Sequence, residues 1–178
     1  MSGATLNRAK LREAIHFVAR KYALTPERLG AVKLQKILWY FEIKSAMHAG
    51  EPSLGATFIK GNFGPYTLDV KGALADLNRD DRLYASTVEF FDNEKTQLIG
   101  KGQTDTSVFS ERETRWLEQI SADICENHTA ASVSERTHGP IWQMAQFGEE
   151  IPLAAAIVRL VKPSPEDVEL TRKELGLA

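Results

Sequence analysis

The chain has little cysteine, little net charge and no long apolar run, and each shortage excludes a class of protein. Cys125 is the only cysteine among 178 residues, so an internal disulfide is impossible and a reducing compartment is expected. The net charge is -2, whereas proteins whose main partner is nucleic acid usually carry a basic excess. No apolar stretch reaches the roughly 20 residues that span a bilayer. Because residues 1–10 also lack an apolar signal-peptide core, we expect a cytoplasmic protein with no membrane partner.

The charges that are present are unevenly distributed. Residues 1–44 hold nine basic and three acidic side chains, a local charge of +6, whereas residues 45–128 hold eight basic and fourteen acidic ones, a local charge of -6. Either the two regions attract each other within one fold, or a basic face stays open for an acidic partner or for DNA. A chain of this length can bury roughly 70% of its unfolded surface, so residues 1–178 are expected to form one domain.

The spacing of apolar residues predicts helices over the first quarter of the chain. Apolar side chains recur every three or four residues from Asn7 to Tyr22, which is the period of one helix face. Thr25 followed by Pro26 is a cap-then-proline pattern, so we expect a second helix from there to about Met47. That helix is apolar around most of its circumference and should be buried on several faces. The residues of its remaining stripe, expected to face water, are Lys33, Lys36, Tyr40 and Lys44.

A glycine-rich turn and a hairpin are predicted in the middle of the chain. Residues 61–66 read Gly-Asn-Phe-Gly-Pro-Tyr, a tight connection in which we expect a glycine with positive φ, and Pro65 should open a third helix. The inward residues of that helix should be Leu68, Ala73, Leu74 and Leu77. Residues 84–91 and 96–99, joined across 92–94, are rich in β-branched and aromatic residues and predict an antiparallel hairpin.

Helices are expected again after the hairpin. Ser110 and Glu113 have the spacing of a capping box, which should begin a helix that runs to about residue 128. A short helix over 130–138 and a last one over 164–175 are also expected. The predicted fold class is therefore α+β, a mostly helical single domain with a small antiparallel β-sheet.

No catalytic, cofactor or metal constellation is evident in the sequence. Cys125 and His128 are spaced like zinc ligands, but a structural zinc takes four ligands, usually several of them cysteines. The glycines of residues 61–66 lack the spacing of phosphate-binding and dinucleotide-binding loops. Asp80 and Asp81 are typical of a solvated loop at a helix end rather than of a carboxylate pair in a cleft. We therefore expect no enzyme, no catalytic residue, no cofactor and no metal.

DNA recognition is a second class of function to consider. A helix-turn-helix places a polar, basic second helix in the major groove. The second predicted helix is instead the most apolar one in the chain, with Trp39, Tyr40 and Phe41 in a row. DNA is therefore an unexpected partner, although four basic residues could still contact phosphates, namely Arg8, Arg12, Lys21 and Arg28.

Three short strings carry a family resemblance. They are Lys-Leu-Gln-Lys-Ile-Leu-Trp-Tyr at 33–40, Asn-Phe-Gly-Pro-Tyr at 62–66, and Thr-His-Gly at 137–139 followed by Trp142. In order and spacing they resemble the Panacea domain, the SocA-like antitoxin family of bacteria and their phages. The resemblance covers about residues 8–145, and residues 146–178 are taken as a C-terminal extension of the same domain. It implies a mostly helical domain with a small sheet that binds and neutralises a toxin encoded beside it, as in a type II toxin–antitoxin pair.

The resemblance also implies how such a protein acts. Neutralisation would be stoichiometric occlusion of the toxin, with no turnover and no cofactor. The candidate partner-binding residues are Asn62, Phe63 and Tyr66 on the glycine turn, and Lys33, Lys36, Tyr40 and Lys44 on the second helix. A structural role is expected for Leu34, Gln35, Trp39, Gly64, Pro65, His138 and Trp142, with the histidine hydrogen-bonded inside the core.

Several alternatives stay open at this point, and the first is that Phe63 and Tyr66 pack on the second helix instead of contacting a partner. Lys33 and Gln35 equally suit a structural role that ties the second helix to backbone groups of the glycine turn. In place of simple neutralisation, the protein would act as an adaptor that delivers a partner to a protease or chaperone system, or as a DNA-binding regulator of its own operon. The family resemblance leaves the chemistry of the toxin undefined.

Overall fold

The computed structural model describes residues 5–90 and 93–160. These residues form seven α-helices and two antiparallel two-stranded sheets, which confirms the predicted mostly helical α+β class. The helices are α1 (Arg8–Lys21), α2 (Gly30–Ala49), α3 (Asp69–Arg79), α4 (Glu111–Asn127), α5 (Ala130–Thr137), α6 (Pro140–Met144) and α7 (Leu153–Leu160). The strands are β1 (Ile59–Gly61), β2 (Gly64–Tyr66), β3 (Leu83–Phe90) and β4 (Asn93–Gly100). The helix predicted over 164–175 lies outside the described residues.

Helix α2 runs through the middle of the core. Its side chains Leu34, Ile37, Leu38 and Phe41 are fully buried, as its apolar circumference predicts. Helices α4, α5 and α7 and strands β2 and β4 pack around it. Helix α1 covers a neighbouring side and contacts α3 and β4. Among the described residues, no helix combines the length and the apolar character needed to cross a membrane.

The predicted start of the second helix is wrong by four residues. Pro26–Arg28 forms a single 3-10 turn, and Thr25 makes no side-chain cap hydrogen bond. The α-helix begins only at Gly30, whose φ of 71° lies in the left-handed region. A positive φ interrupts the regular ladder of backbone hydrogen bonds, so the cap-then-proline pattern starts a turn and not the helix itself.

The predicted role of Pro65 as the first residue of a helix is also wrong. Pro65 lies in β2, opposite Lys60 of β1, in a hairpin that the sequence indicates only as a tight connection. The expected positive φ falls at Gly64, with φ 96°. Because α3 begins four residues after Pro65, Leu68 lies outside the helix and is 68% exposed instead of buried. Ala73 and Leu77 face inward as predicted, and Leu74 is half-buried.

The second hairpin forms as predicted and leans on the helices. Its register runs from Leu83 opposite Gly100 to Phe90 opposite Asn93. Strand β4 packs on α1 and α2, and β3 packs on α3. The predicted loop 92–94 is wrong in its second half, because Asn93 and Glu94 already belong to β4, while residue 92 lies outside the described part of the chain. A two-stranded hairpin is marginal in water by itself, so these helix contacts stabilise it.

Candidate partner-binding surface

Two lysines of α2 are buried, which contradicts the prediction that they face water. Lys33 donates hydrogen bonds from Nζ to the carbonyl oxygens of Arg28, at 2.9 Å, and of Cys125, at 3.3 Å. Lys36 is 1% exposed and donates from Nζ to the carbonyl oxygen of Pro65 at 2.8 Å. Their hydrocarbon stems lie in the core while their ammonium groups donate hydrogen bonds to backbone carbonyls. Neither lysine is placed to contact a partner directly.

Gln35 ties α2 to Thr67, the residue that follows β2. Its side-chain amide donates to the carbonyl oxygen of Thr67 at 3.1 Å and accepts from the Thr67 amide at 2.9 Å. This arrangement supports the structural interpretation of Gln35. The corresponding link to the glycine turn is made by Lys36 rather than Lys33, which instead holds the end of α4.

Gly64 sits where β2 crosses Lys36 and α5. A Cβ atom at this position would overlap Thr137 Oγ1 and approach Lys36 Nζ to 2.8 Å, so glycine is required by the packing as well as by its φ. Burial lowers the pKa of Lys36 from 10.5 to about 7. The β1–β2 hairpin therefore packs on Lys36, whose charge changes near neutral pH.

His138 and Trp142 form a stacked pair beside this hairpin. Their ring centroids are 3.7 Å apart with an interplanar angle of 9°. Trp142 donates from Nε1 to the carbonyl oxygen of Gly61 at 3.3 Å, and Lys60 Nζ lies 4.3 Å from its ring centroid. The prediction of a hydrogen-bonded core histidine is wrong, because the buried Nε2 of His138 has no partner among the described residues. Burial, aided by the charge of Lys36, lowers the pKa of His138.

Residues 148–151 run antiparallel along the free edge of β1. Gly148 donates to the Lys60 carbonyl at 2.9 Å, Lys60 donates to the Glu149 carbonyl at 2.8 Å, and Glu150 lies opposite Ile59. Residues directly opposite each other on antiparallel strands share a face. Tyr66, Ile59 and Glu150 therefore form one row on one face of this small sheet, and Lys60 and Pro65 lie on the other.

An aromatic cleft lies between the tip of the hairpin and the segment before Gly148. We call it the Phe63–Phe147 cleft, and it has a volume of about 280 Å³. The lining side chains include Val32, Gln35, Asn62, Phe63, Tyr66 and Phe147. Phe63 is 64% exposed and Phe147 is 69% exposed, although both are large apolar residues. Asn62 is exposed and Tyr66 is half-buried, so the three predicted turn residues meet at one accessible place.

Sequence reasoning missed Phe147. It lies in the region after residue 145 for which no motif was recognised. The available signal was a large aromatic residue among Gln146, Gly148 and Glu149, a polar and turn-forming context that favours exposure. Its proximity to Phe63 comes from the pairing of residues 148–151 with β1, which no local pattern predicts.

The other two predicted partner residues of α2 line a second cleft, between α2 and α4. It has a volume of about 440 Å³, and Tyr40, Lys44, Met47 and Arg136 are among its lining residues. Tyr40 and Lys44 are half-buried, and the Arg136 guanidinium lies 5.7 Å from the Tyr40 ring centroid. Trp39, the neighbour of Tyr40, is buried and packs edge-on against Phe58 at 5.0 Å, as its structural assignment predicts.

The candidate chemical groups are placed apart from these clefts. Cys125 is buried, and burial raises the pKa of its thiol to about 11, so the thiol is protonated at neutral pH. Asp80 pairs with Arg12 at 2.9 Å, and Asp81 pairs with Lys101 at 2.5 Å. No group of three or more His, Cys, Asp or Glu side chains suited to a metal ion occurs in the residues that the structure describes.

Comparison with known proteins identifies the family. The family model for the antitoxin SocA-like, Panacea domain matches residues 34–143, more than half of the chain. The chain matches no curated protein and no solved structure. The matched range begins on α2 and ends on α6, so it contains the β1–β2 hairpin, its Lys36 and Gln35 supports, and the stacked pair His138 and Trp142. The chain therefore belongs to the SocA-like antitoxin family with a Panacea domain.

Proposed function

We propose that this protein is the antitoxin of a type II toxin–antitoxin pair and neutralises its cognate toxin by direct one-to-one binding. The observation that carries the proposal is the match of an antitoxin family model to residues 34–143. The toxin partner is encoded beside the antitoxin gene. Binding covers the toxin or holds it in an inactive conformation, so each antitoxin molecule neutralises one toxin molecule.

The proposed action is non-catalytic. In the two clefts at the candidate surface, the lining is mostly apolar and aromatic, and the titratable side chains there serve as structural supports or rim groups. Lys36 is engaged with a backbone carbonyl, and Arg136 with His128 and Asp123. Such surfaces favour association with another protein over proton transfer or nucleophilic attack.

The β1–β2 hairpin is the first proposed contact surface. Asn62, Phe63 and Tyr66 lie on a turn that Lys36 and Gln35 hold from beneath. An aromatic side chain projecting from a rigid turn is a typical binding hot spot, because little conformational entropy is lost when it becomes buried. Tyr40 and Lys44 in the cleft between α2 and α4 are the second proposed surface. Lys33 and Lys36 support the fold beneath these surfaces.

Co-expression with the product of the adjacent gene tests the proposal. We expect that product to arrest growth when it is expressed alone, and we expect growth to recover when this chain is co-expressed. The two proteins should also elute together from a sizing column with one-to-one stoichiometry. A neighbouring product without toxicity, or growth arrest that this chain does not relieve, would contradict the antitoxin role.

A host that lacks its ATP-dependent proteases separates neutralisation from adaptor activity. Direct binding predicts the same rescue in this host as in the parent strain. Rescue that requires the protease would instead support the adaptor alternative. A stop codon early in the antitoxin gene serves as the negative control in both hosts.

A further inference from the structure

We propose that the Phe63–Phe147 cleft receives an apolar side chain from a basic patch on the toxin, with Glu150 facing the toxin's cations. This inference rests on the proposed antitoxin function and defines which surface of the protein is used. The occupant is a protein segment in which an aliphatic or aromatic side chain stands among lysines or arginines.

The apolar half of the proposal follows from exposure. Phe63 and Phe147 expose about two thirds of their surface while lining the same cleft, and Met144, near Phe147 in the chain, is exposed as well. Exposed aromatic residues that cluster in this way mark interaction sites, whereas single exposed apolar residues do not. At about 280 Å³ the cleft is slightly smaller than the pockets that hold small molecules, and it suits one or two protein side chains.

The acidic half follows from the sheet register. Glu150 lies opposite Ile59, which lies opposite Tyr66, so Glu150 shares a sheet face with a residue that lines the cleft. Neighbouring strands are about 4.8 Å apart, which places Glu150 roughly 10 Å from Tyr66 across two strand spacings. Glu149 precedes Glu150 and lies opposite Lys60 on the other sheet face, where its carboxylate accepts a hydrogen bond from the Gln146 amide at 2.6 Å.

The lysines that could neutralise the charge of Glu150 make their hydrogen bonds with other groups. The sequence has no lysine or arginine between Arg136 and Arg159. Lys60, the one basic residue of β1 and β2, lies on the opposite sheet face against Trp142 and donates to the Ala145 carbonyl at 2.9 Å. Lys36 lines the floor of the cleft, where it is 1% exposed and donates to the Pro65 carbonyl. Glu150 is therefore the exposed charge that we assign to the rim, and a partner with positive charges around its apolar anchor is the complementary one.

Binding measurements with the purified product of the adjacent gene test this surface. We expect Phe63→Ala and Phe147→Ala each to weaken the affinity by about tenfold or more, because each removes one wall of the cleft. Leu24→Ala and Leu68→Ala are matched controls, since both replace exposed leucines outside the cleft, and their affinities should stay within about twofold of the wild type.

Charge reversal tests the acidic rim. Glu150→Lys should lower the association rate constant and reduce its dependence on ionic strength, whereas the control Glu51→Lys, an exposed residue in the turn after α2, should leave both unchanged. Unchanged affinity in Phe63→Ala and Phe147→Ala, or faster association in Glu150→Lys, would overturn the inference while wild-type binding still supported the antitoxin role. Failure of the wild type to bind or rescue would instead overturn the antitoxin role itself.

Discussion

At the scale of single residues, the buried lysines of α2 most clearly set this core apart from an ordinary apolar one. A buried ammonium loses its hydration, and one backbone carbonyl compensates only part of that loss. Lys33 donates to two backbone carbonyls, whereas Lys36 donates to one, the carbonyl of Pro65. Protonation of Lys36 therefore disfavours the folded state.

The free energy of unfolding should depend on pH through Lys36. Its pKa is about 7 in the folded chain and near 10.5 when unfolded, so between these values the unfolded chain binds more protons and stability rises with pH. The destabilisation is fully present below pH 7 and is relieved above it. From pH 7 to pH 9 the rise should be about 2 kcal/mol, since one pKa unit corresponds to about 1.4 kcal/mol. Urea unfolding at pH 7, 8 and 9 measures it.

Substitution separates this effect from other titrations. Lys36→Met should abolish most of the rise, although loss of the donor to Pro65 costs about 1–3 kcal/mol at every pH. Lys44→Met, which replaces a half-buried lysine of the same helix, should keep the wild-type slope. The titration of Cys125, whose pKa is raised to about 11, contributes equally to the pH dependence of the wild type and of both variants. A Lys36→Met protein with the wild-type pH dependence would refute the assignment.

Burial of these lysines could not be predicted from the sequence. Lys33 and Lys36 are spaced so that they lie beside one another on one stripe of α2. In an amphipathic helix, such a charged stripe is expected to face solvent. One acceptor of Lys33, the Arg28 carbonyl, is near in sequence, but the other acceptors are distant, 29 positions away for Pro65 and 92 for Cys125. The backbone contact of Gln35, to Thr67, needs only that α2 lies near the residue that follows the glycine turn.

At the scale of elements, Gly64 controls how the β1–β2 hairpin is seated. We expect Gly64→Ala to destabilise the protein by at least about 2 kcal/mol more than Gly50→Ala, because of the overlap with Thr137 and Lys36. Gly50 is a matched control, since it has a φ of 81° and a Cβ there meets nothing within 4 Å. The control variant should lose only the about 1–2 kcal/mol that a left-handed non-glycine residue costs. Equal losses in urea unfolding would contradict the close packing at Gly64.

Elements whose ends depend on neighbouring residues were predicted best. The capping box of α4 forms as the sequence indicates, with Glu113 accepting from the Ser110 amide at 2.7 Å and Ser110 Oγ accepting in return at 3.2 Å. Asn7 likewise caps α1. The hairpin at Pro65 was missed because its second neighbour, residues 148–151, is supplied by a distant part of the chain. Local chemistry therefore located the starts of α1 and α4 but not those of α2 and α3, and the candidate cleft depends on tertiary pairing.

At the scale of the whole molecule, ion pairs join the basic region of the chain to the acidic one. Lys10 pairs with Glu113 at 2.7 Å and Arg12 pairs with Asp80 at 2.9 Å, which joins the basic residues 1–44 to the acidic residues 45–128. Arg82 pairs in the reverse sense with the buried Glu13 at 2.6 Å. Attraction between the two regions is thus the interpretation that the structure supports, in place of a basic face kept open.

The protein alone should therefore bind DNA poorly. Of the nine basic residues in 1–44, Lys33 and Lys36 are buried, and four more are engaged with side chains or carbonyls, namely Lys10, Arg12, Arg20 and Lys21. Non-specific DNA affinity grows with the number of phosphates that cations neutralise, so few cations give weak binding. In a gel-shift experiment we expect no shift of the gene's own promoter fragment at about 1 µM protein and about 150 mM salt. A shift that weakens with salt and is lost in Arg8→Ala or Arg28→Ala would revive the regulator alternative, because it would show that the remaining cations suffice for a DNA contact.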